Sequence, residues 1–448
     1  MREHGVLRIG CGSAYAEDRL EPAIDLADRG ALDYLCMDSL AERTLAIAQQ
    51  RRNRDSSVGY DTRIPRMIKE LFPVCLKNGV TVIGNMGSAN PTAAAHLIAE
   101  GLRKAGHTGA RIGLISGDDV LDLVRQEDPM ITETGCRFSE LRGNVVSANA
   151  YLGADPIVSA LRQGANIVVG GRIADHSLYL GPMMHEFAWE SEDWEAKGRG
   201  QAIGHLLECG SHTTGGNFAD PPYREVPRLT DLGNPLGEVT AEGEAVITKL
   251  PKTGGAVTVL NCKSQLLHEI HDPANYLTPD VVVDLTGVRL EKVGPDRVKM
   301  SGARGRPWPE TLKVLVGILE GWVGEGEISY AGDGAYERAQ LAVEIINERK
   351  QMEEMQFDEF RVEMIGMNSL HGSAAPGPVV PYEVRLRVAG RTTDRDTASW
   401  LAQEVEYLNV SGPSAGAGCR RRFYEVLAMY STYVPRDKVG VDVQILEV

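Results

Sequence analysis

Strand-like and helix-like segments alternate along about the first 180 residues, and this alternation constrains the fold more than any other feature of the chain. Short apolar runs at 6–12, 32–38, 80–86, 110–116 and 166–172 each lie next to a segment with apolar residues at helical spacing. Such alternation predicts an α/β fold with a doubly wound, mainly parallel sheet and helices on both faces. Ligands bind such sheets at the carboxyl ends of the strands.

The pattern changes after Pro221-Pro222, where Gly-Pro turns and alternating strands replace the regular repeat. We therefore predict two domains: residues 1–220 as the α/β domain that carries the site, and residues 221–448 as a smaller domain of α/β or α+β type. From about residue 327 the segments follow a β-α-β-β-α-β order, which is typical of ferredoxin-like folds.

Charge and cysteine content restrict the partners and the compartment. The 448 residues include 47 basic and 62 acidic side chains, and the net charge of −15 disfavours nucleic acid and anionic membranes as partners. Seven cysteines without a CxxC pair indicate reduced thiols. Because we find neither a secretory signal nor an apolar run of membrane-spanning length, we expect a cytoplasmic protein.

The segment GHLLECGSHTTGGNFAD at 204–220 concentrates polar chemistry beside paired glycines. If residues 199–209 are helical, several of its polar side chains lie on one helix face, and Gly210 ends the helix. The side chains on that face are His205, Glu208, Cys209 and His212.

Acid–base chemistry is the interpretation of this segment that needs the fewest assumptions. Glu208 or His212 would move a proton, and Thr214 with the amides of Gly215 and Gly216 would hold a substrate oxygen.

Two other interpretations of the same segment stay open. Zinc bound by His205, Cys209 and His212 would need a fourth ligand, and Gly210 interrupts the helical geometry. Cys209 is either a catalytic nucleophile, which requires a lowered pKa, or a small buried thiol.

Loops that follow predicted strands supply candidate binding residues. Gly12 and Ser13 lie in GCGSAYAED, which is either a phosphate-binding turn or a tight turn at the sheet edge. That loop breaks the GxGxxG pattern, so NAD is disfavoured. Asn85, Gly87 and Ser88 lie in IGNMGSANP just beyond another strand, and the Asn85 amide suits a carboxylate or a carbonyl.

Two later motifs add further candidates. Arg172 in VVGGRIAD is suited to form bidentate hydrogen bonds with a carboxylate or a phosphate. Asp175 either caps the next helix or takes part in catalysis. Asn149 in SANAYLGADP is a third candidate for substrate binding.

Carboxylates at strand ends allow for a divalent metal. Asp38 and Glu42 lie at a strand-to-helix junction, and Asp61 lies in the loop GYDTR. These residues either hold an ion such as Mg²⁺, divide acid and base duties in a cleft, or serve as surface charges and helix caps.

The segment GHLLECGSHTTGG resembles the GHLLECG-x-Q-x-TGG signature of the acyclic terpene utilisation (AtuA) family, although His212 stands where the family usually has glutamine. The resemblance covers nearly the whole chain. Other matching blocks are LDYLCMDSLAERT at 32–44, IGNMGSANP at 83–91, SANAYLGADP at 147–156, IVVGGRIADHSL at 167–178 and SGPSAGAG at 411–418.

The resemblance implies a role in the catabolism of citronellol- and geraniol-type acids, through pathways of acyl-CoA carboxylation, hydration and C–C cleavage. Longer members carry an additional C-terminal domain of about a hundred residues, and this chain ends near VDVQILEV, just before that domain would begin. We therefore expect a homo- or hetero-oligomer with a small AtuA-like partner subunit.

The leading prediction is a lyase, most specifically a hydratase or dehydratase, acting on a hydroxy or unsaturated acyl acid or its CoA thioester. The alternative is a non-catalytic subunit that holds an acyl ligand for a partner enzyme. Convergence in one pocket of several of Asp38, Asp61, Asp175, Glu208 and His212 would favour catalysis, because binding alone rarely needs so many titratable groups.

Overall fold

The computed structural model describes residues 5–375 and 381–448, with the Glu42 side chain also outside the description. The chain is of mixed α/β type, as predicted, and divides into two compact units. The first comprises residues up to Leu141, Val146–Gly317 and Met429–Val448, and the second comprises Arg142–Val145 and Ile318–Ala428.

The helices of the described residues are α1 Glu21–Arg29, α2 Glu42–Arg54, α3 Ile64–Glu70, α4 Phe72–Asn78, α5 Pro91–Lys104, α6 Leu121–Glu127, α7 Asp155–Arg162, α8 Ser177–Glu186, α9 Trp194–Glu208, α10 Val259–Leu266, α11 Ala335–Met352 and α12 Arg395–Ser411. Among these helices, none combines the length and the apolar character needed to cross a membrane.

The strands are β1 Val6–Ala14, β2 Tyr34–Asp38, β3 Thr81–Gly84, β4 Arg111–Ser116, β5 Asn144–Ala150, β6 Ile167–Val169, β7 Pro235–Thr240, β8 Ala245–Lys249, β9 Tyr276–Leu277, β10 Val282–Asp284, β11 Arg289–Gly294, β12 Arg297–Ser301, β13 Arg304–Arg306, β14 Thr311–Ala331, β15 Glu359–Ile365, β16 Glu383–Thr392, β17 Ala417–Pro435 and β18 Asp442–Glu447.

A ten-stranded sheet forms the centre of the first unit, in the order β11-β12-β8-β7-β1-β2-β3-β6-β4-β18. The five strands from β1 to β4 in this order are parallel, whereas the strands at both edges pair antiparallel. The sheet is therefore mixed, where the sequence predicted a mainly parallel one. The connections at 241–244 and 295–296 are too short for anything but antiparallel hairpins. Because these hairpins join the sheet, the first unit extends past residue 220.

Helices cover both faces of this sheet. Along β2, Tyr34 and Cys36 point into one buried cluster, which also contains residues of α7, α8 and α9. Leu35 and Met37 point into a second cluster with residues of α1, α3, α4 and α5. Successive side chains of a strand alternate between the two faces, which explains the continuous apolar runs in the sequence.

The second unit contains β14 from Ile318 onward, α11, β15, β16, α12 and β17 as far as Ala428, and its sheet has the order β15-β16-β14-β17. Side chains of α11 and α12 pack on this sheet in a separate apolar cluster. The β-α-β-β-α-β element order follows the sequence pattern, and the ferredoxin-like assignment stays a prediction.

Candidate functional site

A cavity of about 420 Å³ lies in the first unit, beside the residues that follow the carboxyl end of β6. The loop after β6 contributes Arg172, Asp175 and His176, and the last residue of α9 contributes Glu208. Tyr276 on β9 also lines the cavity. Two of the five predicted titratable residues, Asp175 and Glu208, thus meet at one cavity.

Glu208 lies between two histidines. Its Oε1 atom is 2.6 Å from Nδ1 of His205, and its Oε2 atom is 3.4 Å from Nδ1 of His176. Burial raises the pKa of Glu208, but the two histidines outweigh burial and lower that pKa to about 2. Burial in turn lowers the pKa of His205, and the charge of Glu208 reverses this and raises it. Glu208 therefore brings a carboxylate of lowered pKa to the cavity wall, where it is paired with the buried His205.

Gly204 allows α9 to approach the start of α8. A Cβ atom at this position would lie 2.7 Å from the carbonyl oxygen of His176 and 3.1 Å from its Cβ atom. Any larger residue would push the helices apart. The close approach brings the end of α9, with Glu208, to the His176 side chain.

His176 is the histidine of this group that faces the cavity. Its Nε2 atom is buried and has no hydrogen-bond partner among the described residues. The rings of His176 and His205 each lie 5.7 Å from the ring of Tyr276. Burial, followed by the charges of Glu208 and Asp175, raises the pKa of Tyr276, so its hydroxyl stays a neutral donor.

Arg172 is held in one orientation at the cavity wall. Its Nη1 atom donates to Asp175 Oδ1 at 2.8 Å, and its guanidinium carbon lies 4.0 Å from the ring centroid of Tyr151. The backbone N–H of Arg172 and the amide of Asn149 both donate to Asp118 Oδ2 at 2.9 Å. Asn149 thus supports the loop that carries Arg172 and does not line the cavity.

Two carboxyls lie near this arginine, namely Asp175 at the cavity wall, whose side chain is 32% exposed, and the buried Asp38. Burial raises the pKa of Asp175, Arg172 lowers it and Glu208 raises it further, and the net shift is upward. Burial and the charge of Asp175 likewise raise the pKa of Asp38, while Arg172 and the Asn85 amide lower it. The site therefore combines an ionised carboxylate, Glu208, with two carboxyls that hold a proton to higher pH than usual.

Lys313 on β14 supplies a further positive charge to the cavity. Its Nζ atom lies 5.3 Å from the ring centroid of Tyr151, and within the described residues it forms no ion pair. It is therefore available for an anionic ligand.

The predicted binding residues near the ends of β1 and β3 are used by the fold itself, and Gly12 and Ser13 lie within β1 and not in the loop that the sequence predicted. The Ser13 hydroxyl donates to the backbone oxygen of Asp38 at 2.6 Å, and Asn85 Oδ1 accepts from the Ser39 amide at 2.7 Å. A Cβ atom on Gly12 would collide with a side chain of β2. None of Gly12, Ser13 and Asn85 lines the cavity.

The polar groups of the turn after β3 also form hydrogen bonds within the fold. The Gly87 amide donates to the carbonyl of Gly170 at 3.0 Å, and a Cβ atom at Gly87 would lie 2.6 Å from that oxygen. Ser88 has a φ of 50° and its amide donates to the Asn85 carbonyl. These residues align the loops after β3 and β6, and neither reaches the cavity.

The Thr214–Gly216 turn does not supply the predicted oxygen-binding amides. The Gly215 and Gly216 amides donate to the carbonyls of His212 and Ser211 at 3.2 and 2.7 Å, and the Thr214 hydroxyl donates to a backbone carbonyl at 2.7 Å. These donors are already used within the fold, and none of the three residues lines the cavity.

The helix in the 204–220 segment ends where the sequence predicted. Gly210, with a φ of 55°, follows the end of α9, and a short 3₁₀ turn, Gly210–His212, comes next. His212 therefore leaves the helix and lines a separate cavity of about 40 Å³. Burial and the charge of Glu208 raise the pKa of Cys209, which keeps its thiol protonated and weakly nucleophilic.

The carboxylates considered for a metal face different partners. Arg63 Nη2 lies 2.6 Å from Asp61 Oδ2, and Asp38 Oδ1 accepts from the Leu40 amide and from Asn85. Glu42 lies at the start of α2, with its side chain outside the description. Magnesium at these positions stays a prediction.

The fold and this site define a mixed α/β protein with a cavity of titratable side chains at the carboxyl end of its central parallel strands. No curated protein and no solved structure matches the chain. The chain belongs to the family described as acyclic terpene utilisation family protein AtuA, whose family model matches residues 7–445. The family description points to a role in acyclic terpene utilisation.

Several residues of the site were missed by sequence reasoning. His176 directly follows Asp175 in a motif already singled out, so its position was a usable signal. Tyr276 and Lys313 come from β9 and β14, far along the chain, and only the tertiary structure brings them to the loop after β6.

Proposed function

We propose that the chain is a hydro-lyase that interconverts a hydroxy acyl acid and its unsaturated counterpart, as the free acid or the CoA thioester, in acyclic terpene or branched-acid catabolism. The supporting observation is the convergence of His176, Glu208, Asp175 and Lys313 on one cavity. Dehydration needs a base, an acid and a group that holds the acyl oxygens, and these side chains can supply all three.

His176 is the proposed base. With a proton on Nδ1, which faces Glu208, the Nε2 atom is left to accept a proton from the carbon beside the acyl group. The ionised Glu208 stabilises the imidazolium that results. The distance of 3.4 Å between Nδ1 and Oε2 is long for a hydrogen bond, and such contacts commonly shorten when substrate binds.

Asp175 is the proposed acid, because it lines the cavity with His176 and burial raises its pKa above the ordinary value. In the dehydration direction the C–H bond breaks and its proton passes to His176, while the C–O bond breaks and the hydroxyl leaves as water with the proton of Asp175. The C–H electrons form the new double bond. Proton exchange with solvent then returns both side chains to their starting states.

Lys313 is the proposed anchor for a substrate carboxylate or thioester oxygen. Arg172 already pairs with Asp175, so Lys313 is the better placed cation for a ligand. The Tyr276 hydroxyl would donate to the enolate oxygen that develops in the transition state. A cavity of about 420 Å³ suits the acyl part of the substrate.

A non-catalytic acyl-binding subunit is the second candidate function. Lys313, Arg172 and Tyr276 alone suffice to hold an acyl carboxylate, whether or not a proton is moved. In either case we propose assembly with a small AtuA-like partner subunit, which co-purification of the two chains would test.

A ligand screen followed by a turnover assay separates the two functions. The purified chain, alone and with its partner, is heated with hydroxy acids, unsaturated acids and their CoA thioesters. We expect an acid or thioester that stabilises the fold to be converted as well. Stabilisation without conversion, with the partner present, would favour the binding subunit.

A further inference from the structure

A second cluster of reactive side chains lies next to the candidate site and plays no part in the proposed reaction. One ligand atom from each of Cys209, His212 and His268 lies within 4.8 Å of the other two. The rings of His212 and His268 are 5.2 Å apart and nearly perpendicular. Among the described residues, this is the one group of three such ligands that lies so close together.

The surroundings of the cluster add a possible fourth ligand. Gln265 lines the same small cavity as His212 and His268. The Oε1 atom of Gln265 is buried and has no hydrogen-bond partner among the described residues. Its Nε2 atom donates to the backbone of His205 at 2.9 Å, which fixes the amide in place.

His268 also has a contact that is common in metal sites. Its Nε2 atom lies 3.4 Å from Oε1 of Glu269. Metal-binding histidines usually carry a carboxylate or a carbonyl on one ring nitrogen, which orients the ring and makes it a better ligand.

From this geometry we propose that Cys209, His212 and His268 bind a transition metal ion of the zinc class, with Gln265 or water as the fourth ligand. One thiolate and two imidazoles suit zinc and cobalt, and do not suit magnesium or calcium. Around zinc, such ligands lie at about 2.0–2.3 Å and so about 3.5 Å from each other, which requires an inward shift of the order of one ångström.

The ion would connect two helix ends. Cys209 and His212 follow α9, and His268 follows α10. Bound metal would therefore fix the position of the end of α9, which carries His205 and Glu208. This proposal does not depend on the hydro-lyase reaction, because metal binding can be measured without any substrate.

Cobalt titration of the purified chain tests the site directly. We expect one Co²⁺ per chain, a sulfur-to-cobalt charge-transfer band and release of protons on binding. Cys209→Ser should abolish the band, and His268→Ala and His212→Gln should weaken binding by more than about 100-fold. Cys136→Ser and His107→Ala, which change a cysteine and a histidine elsewhere, should leave the titration unchanged.

Thiol labelling of the unmodified protein provides a measurement that needs no variant. Zn²⁺ should protect Cys209 from alkylation, as read by peptide mass spectrometry, while the labelling of Cys136 stays unchanged. Cobalt binding without the sulfur band, a band that persists in Cys209→Ser, or equal labelling of Cys209 with and without Zn²⁺ would overturn the proposal.

Discussion

His205 Nδ1 lies 2.6 Å from Glu208 Oε1, and both side chains are buried at the end of α9. A carboxylate in such a place keeps its charge only because a proton is shared with the histidine beside it. The second oxygen of this carboxylate, Oε2, lies 3.4 Å from Nδ1 of His176 at the cavity wall. This relationship links the stability of the first unit to the chemistry proposed for it.

Replacement of Glu208 by glutamine should destabilise the protein by about 3 kcal/mol near neutral pH, because it leaves a buried histidine without its carboxylate. The folded pKa of Glu208, about 2, lies below its ordinary value of 4.5. The contribution of ionised Glu208 to the free energy of unfolding is therefore present above pH 4.5 and is lost as the pH falls toward 2.

The histidine acts in the opposite direction. The pKa of His205 is raised above 6.5 in the folded protein. Its contribution to the free energy of unfolding is therefore full below pH 6.5 and is lost as the pH rises through the folded pKa. Urea unfolding of wild type and Glu208→Gln over a pH series measures both effects. A stability difference that stayed constant from pH 2 to 6.5 would contradict the assigned ionisation.

Gly204→Ala should cost about 1–3 kcal/mol and reduce activity, because the new Cβ would meet the carbonyl oxygen of His176 at 2.7 Å. Gly440→Ala is the control, since nothing lies within 4 Å of a Cβ atom there and its φ is outside the left-handed region. Thermal unfolding of the two variants compares them. Equal melting temperatures would contradict the close approach of α9 to the start of α8.

Asp118→Ala should weaken ligand binding at least about tenfold and destabilise the fold by about 1–3 kcal/mol. The substitution removes the acceptor of the Arg172 amide and of the Asn149 side chain, both at 2.9 Å. Asp119→Ala changes the exposed neighbouring carboxylate and should have little effect on either property. Calorimetric binding and urea unfolding measure the two quantities, and equal losses in both variants would argue against the role of Asp118.

Lys313→Met should raise KM by about tenfold or more and change kcat little, because the lysine is proposed to hold the acyl oxygens and to move no proton. Methionine keeps most of the apolar stem against Tyr151. Steady-state kinetics with the substrate found by the screen gives both constants. A loss confined to kcat would assign Lys313 to the chemical step instead.

The sequence predicted the strands of the central sheet because they are buried on both faces and read as apolar runs. It did not predict that β7, β8, β11, β12 and β18 extend the sheet, because pairing between segments so far apart depends on the tertiary structure.

The same reasoning explains the site. Arg172, Asp175 and Glu208 were predicted from polar residues at the ends of a strand and a helix, and all three line the cavity. Ser13 and Asn85 carry the same signal, yet their hydrogen bonds hold the loops together. Sequence shows which residues can donate or accept a hydrogen bond, but not which of these bonds the fold has already formed.

The most direct test of the proposed function is mass spectrometry of the product formed from an unsaturated acid or thioester in H₂¹⁸O. We expect one ¹⁸O atom in each hydroxy product, and a rate at least about 100-fold lower for His176→Ala and for Glu208→Gln, each checked for correct folding. Binding of the acid with no ¹⁸O in any product, in the presence of the partner subunit, would contradict the hydro-lyase account.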